Sequence, residues 1–274
     1  MGLKLTTLFD LIYWLVWLAT HALAAAAGLA VTQALWGPHV LQQGAALAVG
    51  YLVFLHAFVL VLGLLKRMVQ PPLRAGDSEV GGNRGFIAWG LNSVFQGVFV
   101  SSFVHDQVHF LFWLRFFYYR LMGMQLHPSV ILGTGAVLRQ VELIELGAGS
   151  VVGIGATLSC HVNRDGGSHM QAPIKVGARA LIGSQALIGP GCTLGDRSVV
   201  GARSTLPHGI TVGEGAVVGP HVMVKPGVCI GAGARVLSCS LVLSDVPAGE
   251  TWGGNPATLV APKGTAAGAA KEPA

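Results

Sequence analysis

Fourteen aliphatic residues recur at a spacing of six through the second half of the chain, and no other feature constrains the fold as strongly. They are Leu146, Val152, Leu158, Val176, Ile182, Ile188, Leu194, Val200, Leu206, Val212, Val218, Val224, Ile230 and Val236. Every step is six residues except one of eighteen, from Leu158 to Val176. Gly follows ten of them, and Ala, Ser, Cys or Val stands four positions after thirteen, Ile210 being the exception. A period of six is neither the 3.6 of a helix nor the 2 of a plain strand. It is the signature of a parallel β-helix built from hexapeptides. Each hexad makes one short strand and one corner. The aliphatic side chain fills a narrow prism, and the small residue four positions on shares that interior. Three hexads close one coil, and successive coils stack about 4.8 Å apart. Such a stack is stabilised mainly by neighbouring coils.

Two departures from the period stand out. Leu132 and Leu138 fit the pattern, but residues 141–146 shift its phase by two, which predicts irregular first coils and a small bulge. Residues 161–175, HVNRDGGSHMQAPIK, then interrupt the array, with Arg164 where an aliphatic residue is due. This polar, Gly-rich stretch predicts a flexible loop that leaves the prism and returns. Loops carried on rigid scaffolds are where function concentrates.

The first half has a different composition. Residues 11–65 contain no Asp, Glu, Lys or Arg, enough for two spans of about 20 residues and a turn. Trp36-Gly-Pro-His39 and Gln42-Gln-Gly44 mark the break, predicting helices over 9–34 and 42–65. Lys4 precedes this hairpin, Lys66, Arg67, Arg74 and Arg84 follow it, and the turn has no basic residue. That asymmetry predicts a multi-pass inner-membrane protein with its N-terminus and β-helix in the cytoplasm. The uncharged stretch 85–105 carries Asn92, Gln96, Ser101 and Ser102, and the aromatic run 110–120 follows. Together they predict interfacial or re-entrant helices over 85–104 and 106–122 rather than a third crossing. The domains expected are a transmembrane hairpin (1–66), a linker with interfacial helices (67–125), the β-helix (126–260) and a disordered tail (261–274).

Composition agrees with this division. Hydrophobic residues make up 52% and charged ones 11%, against about 25% charged in an ordinary soluble chain. The net charge of +5 has no aromatic-interleaved basic stripe, so a bilayer or an anionic ligand is expected and nucleic acid is not. Cys160, Cys192, Cys229 and Cys239 have no ligand-like spacing and read as reduced, buried side chains. His21 and His56 read as helix–helix hydrogen bonds. His105 and His109 share a helix face beside Asp106 but lack a third ligand, so no metal is expected.

At the residues just quoted the chain resembles the hexapeptide-repeat acyltransferases, which have a left-handed parallel β-helix. Leu158-Ser-Cys-His161, Ala172-Pro-Ile-Lys-Val-Gly177, Leu181-Ile-Gly-Ser184, Val200-Gly-Ala-Arg-Ser204 and Trp252-Gly-Gly-Asn-Pro-Ala257 carry the likeness, over about 140–260. The Gly-Asn-Pro-Ala element resembles the sugar O-acetyltransferase branch. The region from Phe116 to Leu126, with residues 141–147, resembles the membrane and β-helix region of poly-lysine-synthetase-type peptide synthetases.

The resemblance implies that His161 is a general base, with Ser184 a candidate to stabilise the oxyanion. It implies acetyl-CoA or another acyl-CoA in a groove between two β-helices, against Gly183, Gly201, Ala202, Ser204, His208, Lys225, Asn255 and Pro256. The acceptor would lie near Asn163, Arg164, Asp165 and His169. A site shared between subunits implies a homotrimer. Pro207-His208, Leu181 and Thr258 depart from the family's common Thr-Lys, Trp and Lys. Arg179, Arg203, Lys225 and Arg235 are the cations left for the CoA phosphates, or are simply solvated corners. The function expected is a membrane-anchored O- or N-acyltransferase on a lipid-linked, glycan or amine acceptor. The alternatives are an amide-forming enzyme fed by a carrier protein, a zinc hydrase, and a non-catalytic scaffold.

Overall fold

The structure, a computed structural model, describes residues 3–79, 84–164 and 167–261. Helices α1 (Leu3–Leu35) and α2 (Val40–Val69) pack side by side and are each long and apolar enough to cross a bilayer. Both outrun the expected ranges, because nothing breaks them before Gly37-Pro38 and Pro71-Pro72. Their contact rests on small residues: Thr32 Oγ1 donates to the Gly28 carbonyl (3.0 Å) and the Ala46 carbonyl (3.3 Å). Trp14, Leu18, Leu29, Leu41 and Leu60 are exposed, as lipid-facing side chains would be. Among the described residues, His21 and His56 do not make the helix–helix hydrogen bonds expected of them, although the His21 ring meets Phe58 of α2 edge-on. Each hydrogen-bonds the carbonyl four residues back, at Trp17 and Leu52, which satisfies Nδ1 within its own helix.

Three helices, not two, follow: α3 (Arg84–Val100), α4 (Val104–Phe110) and α5 (Phe112–Leu121). The chain bends by 82° between α3 and α4, and at the bend the Ser102 hydroxyl accepts from Val104 N (3.3 Å). The aromatic run is only partly a surface. Phe110, Phe112 and Trp113 are exposed, but Arg115, Tyr118 and Tyr119 are buried. Arg115 donates to the Leu132 carbonyl (3.0 Å), so it seats α5 on the β-helix instead of meeting headgroups.

The second half is a three-sided parallel β-helix. Its faces hold stacked short strands, among them Ile174–Val176 on the first, Leu181–Ile182 on the second and Leu187–Ile188 on the third. Strands pair in register eighteen positions apart, Leu181 with Val199 and Thr193 with Thr211. The periodic residues Val152, Leu158, Ile182, Ile188, Val200 and Leu206 are completely buried, as are the small Ala156, Ala180, Ala186 and Cys192. The inward pattern therefore arises as the period requires.

Both departures from the period fall at one corner, where the third face turns into the first. In the first coil, Gln140 takes a left-handed conformation (φ 53°) and Val141–Leu143 forms a 3-10 turn. That is the bulge, and it sets Ile131 opposite Val151, twenty positions on instead of eighteen. In the next coil, residues 161–164 and 167–171 leave the prism. In place of the expected loop, most of these residues are paired strands. Strand His161–Asn163 pairs antiparallel with Ser168–Gln171, which pairs antiparallel with a linker strand, Gly76–Glu79. The extra strand satisfies backbone groups that a loop would leave to water. The chain leaving the α1–α2 hairpin is thus built into the inserted hairpin.

A second tie holds the halves together. Glu142 forms a buried ion pair with Lys66 at the end of α2. It also accepts from Gln70 Nε2 (2.7 Å) and Leu73 N (3.1 Å). Of the tail expected to be disordered over 261–274, Ala261 instead ends the last strand, and residues 262–274 lie outside the described residues, as does Asp165.

Candidate active site at the third corner

His161 begins the inserted hairpin and is half-buried. Its Nδ1 lies 2.7 Å from Gln140 Oε1 and 3.2 Å from Ser159 Oγ. The Gln140 amide oxygen can only accept, so Nδ1 carries the proton and the lone pair of Nε2 is free. Burial, then the neighbouring His169 and Arg139, push the imidazole down to about 4. It is therefore neutral at physiological pH and able to take a proton.

On the same face of the hairpin, His169 is fully buried, and its pKa is lowered by that burial. Its Nδ1 meets Asn163 Oδ1 at 2.7 Å, which leaves its Nε2 as an acceptor too. Trp89 of α3 roofs both imidazoles, with ring centroids 5.5 Å from His161 and 4.7 Å from His169; the two imidazoles are 5.3 Å apart. Three buried polar atoms here have no hydrogen-bond partner among the described residues: His169 Nε2, Trp89 Nε1 and Gln171 Oε1. Such groups normally meet a ligand or a water. One donor and two acceptors are thus left unmet beside a neutral base.

The other expected residues divide between two corners. His208 and Lys225 stack above His161 on the third corner; the coils are linked there by Gly209 N to the Pro190 carbonyl and Gly227 N to the His208 carbonyl. Ser184, Gly183, Gly201, Ala202 and Ser204 lie on the second corner, across a face of the prism. Asn255 and Pro256 form the exposed tip between Thr251–Gly254 and Ala257–Ala261, above that same second corner, where Gly254 N meets Ser240 Oγ at 3.2 Å. One chain therefore does not bring Ser184 to His161. The Ser204 hydroxyl is turned inward, donating to the Gly219 carbonyl (2.8 Å) and accepting from Val222 N (3.1 Å), so only its backbone borders the corner. A Cβ on Gly201 would lie 2.3 Å from Pro220 N, so stacking alone demands glycine there. Arg164 reaches Asp77 of the linker strand at 3.5 Å, and Asn163 is held by His169.

Sequence reasoning missed Gln140, Trp89 and Gln96. Gln140 had one signal, its place in the two-residue phase shift; Gln96 had only its polarity in an apolar stretch, and Trp89 had none. Cys160 is buried and its thiol is pushed up to about 12, so it stays protonated. Cys229 and Cys239 are exposed, contrary to expectation, because one faces outward on its strand and the other sits on a corner. His105 contacts Asp106 (2.9 Å) and His109 contacts the Tyr119 hydroxyl (3.1 Å). Among the described residues, no three His, Cys, Asp or Glu side chains are placed to hold a metal.

The family model for the bacterial transferase hexapeptide (six repeats) matches residues 173–208, and that for the hexapeptide repeat of succinyl-transferase matches 192–225. No curated protein sequence matches the chain. Among solved structures, it is similar to a mutant perosamine N-acetyltransferase from Caulobacter crescentus in complex with CoA and GDP-perosamine. The identity is 26% over 57% of this chain and 63% of that one, with a TM-score of 0.36. It is also similar to the acetyltransferase domain of PglB from Neisseria gonorrhoeae in complex with acetyl coenzyme A (20%, 54% and 65%, TM-score 0.37). A third is the UDP-N-acetylglucosamine acyltransferase of Francisella novicida (19%, 42% and 41%, TM-score 0.38). The chain thus spans less than two thirds of the length of these structures, and the TM-scores are too low for the likenesses to bear on function.

Proposed function

We propose that this member of the hexapeptide-repeat acyltransferase superfamily transfers an acyl group from acyl-CoA to a hydroxyl or amine of a membrane-associated acceptor. The observation that carries the proposal is the Gln140–His161 hydrogen bond, which leaves Nε2 of a neutral imidazole free. His161 Nε2 takes the proton of the acceptor hydroxyl or amine as its oxygen or nitrogen attacks the thioester carbonyl. The new C–O or C–N bond forms, the C–S bond breaks, and the proton passes to the departing thiolate as CoA leaves. No covalent enzyme intermediate is needed when both substrates are bound together. Acetyl-CoA is the simplest donor.

The oxyanion and CoA subsites are proposed to lie where the second corner of one copy meets the third corner of another. That groove would unite Ser184, Gly183, Gly201, Ala202, Asn255 and Pro256 with His161, His208 and Lys225. A homotrimer closes three such grooves. The acceptor is proposed to come from the bilayer, since the roof of the site is α3 and its outer strand is the linker leaving α2. The basic flanks of the hairpin favour a cytoplasmic site, where acyl-CoA is available.

The test is acyl transfer by the detergent-purified protein, followed as thiol release from acetyl-CoA and longer acyl-CoAs with membrane lipid extracts as acceptor. His161-dependent release supports the proposal. Failure of every acyl-CoA to bind overturns it, in favour of carrier-delivered acyl groups or a scaffold.

A further inference from the structure

We infer that Gln96 of α3 is a positioning residue for the base, completing a corner that the β-helix cannot complete by itself. This rests on His161 being the base. Among the described residues, seven other than glycine have left-handed backbones: Gln140, Arg179, Gln185, Arg197, Arg203, His221 and Cys239. Such a backbone is costly for a residue with a Cβ and persists only where its surroundings hold it. Six of the seven are held alike, each donating its N–H to a carbonyl of the preceding coil. Arg179 donates to Ala148, Gln185 to Ile154, Arg197 to Ala178, Arg203 to Ser184, His221 to Ala202 and Cys239 to Pro220, all at 2.8–3.0 Å.

Gln140 is the exception. It lies in the first coil, so its corner has no preceding coil to supply a carbonyl. Its N–H donates instead to Oε1 of Gln96 (3.3 Å), while Gln96 Nε2 faces the Leu138 carbonyl (3.5 Å). The helix side chain stands in for the missing coil. Both glutamines are buried, Gln140 at 1% and Gln96 at 4% exposure, so water does not compete. The backbone held this way is the one from which Gln140 Oε1 reaches His161 Nδ1. The chain of contacts runs from a helix packed under the membrane hairpin to the tautomer of the imidazole. It explains why α3 crosses the third corner, and it implies that the β-helix cut free of α3 keeps its coils but loses the orientation of its base.

The test reads the tautomer itself. In full-length protein with 15N-labelled histidine, His161 is assigned by comparison with His161→Gln. The expected wild-type spectrum has a protonated Nδ1 and an unprotonated Nε2. Gln96→Met keeps the volume and removes the acceptor; it should give a mixture of tautomers, as should Gln140→Met. Gln96→Glu retains an oxygen for the Gln140 N–H and should restore the wild-type pattern, which also guards against a variant that merely folds badly. Where turnover is measured, Gln96→Met should lower kcat about ten-fold, a fraction of what a general base contributes, with KM for acyl-CoA unchanged. The double variant should be no slower than Gln140→Met, because the two act in series. A wild-type spectrum in Gln96→Met, or additive losses in the double variant, would overturn the inference. Absence of acyl transfer in the wild type would defeat the proposed activity while the spectra still decide the role of Gln96.

Discussion

His161 Nδ1 and Gln140 Oε1 meet at 2.7 Å across one corner of the prism, from neighbouring coils and twenty-one positions apart in the chain. The contact exists because both irregularities of the repeat occur at that corner. The 3-10 turn places Gln140 beneath the hairpin that His161 opens. An amide oxygen on Nδ1 also supports the imidazolium that forms when Nε2 takes a proton.

His161→Ala should lower acyl transfer by about two to four orders of magnitude, the usual contribution of a general base. Its melting temperature should stay close to wild type, since the ring is half-buried and the coil below it is continuous. Rates by thiol release and melting by circular dichroism check both parts.

The rate should depend weakly on pH near neutrality. With His161 pushed down to about 4, kcat/KM should be flat from about pH 5.5 to 8 and fall by half near pH 4. Stability should follow the same group. A histidine whose folded pKa lies below its unfolded 6.5 binds fewer protons in the native state. Its contribution is complete above pH 6.5 and is lost as pH falls from 6.5 through about 4. His169 shifts in the same direction. Melting temperatures at pH 7.5 and 5 should differ less in His161→Gln than in wild type.

Glu142→Gln should destabilise the junction of the two halves by about 3 kcal/mol. It removes one partner of a buried ion pair and leaves Lys66 uncompensated. Lys66→Met combined with Glu142→Leu should cost less than Glu142→Gln alone, because no charge is stranded. Thermal unfolding of the three proteins in one detergent tests the order.

Gly201→Ala should destabilise by about 1–3 kcal/mol, since its Cβ would meet backbone of the next coil at Pro220 and Gly219, which cannot move aside. The loss should appear in protein without acyl-CoA, separating a stacking role from a ligand-binding one.

Much of this was legible in the sequence. Leu158 to Val176 located the inserted segment, and the shift before Leu146 located the bulge. The inward pattern needed only the period. The same pattern also weakened one inference from resemblance: Ser204 stands four residues after Val200, where any chain of this kind needs a small inward residue, and its hydroxyl is indeed consumed there. What the sequence did not reveal is relation in space. Gly76-Asp-Ser-Glu79 has no strand-like alternation, and it becomes a strand only because Ser168–Gln171 offers an edge. Trp89 and Gln96 lie on an apolar helix that reads as membrane surface. Their roles depend on where α3 crosses the β-helix, which one-dimensional periodicity does not encode.

The most direct measurement compares wild-type and His161→Ala protein, purified in detergent, for calorimetric binding of acetyl-CoA and for thiol release with a membrane extract. If His161 is the base of an acyl-CoA-dependent transfer, both proteins bind acetyl-CoA equally and only the wild type releases thiol. Release at the wild-type rate from His161→Ala would contradict it, as would the absence of acyl-CoA binding in the wild type.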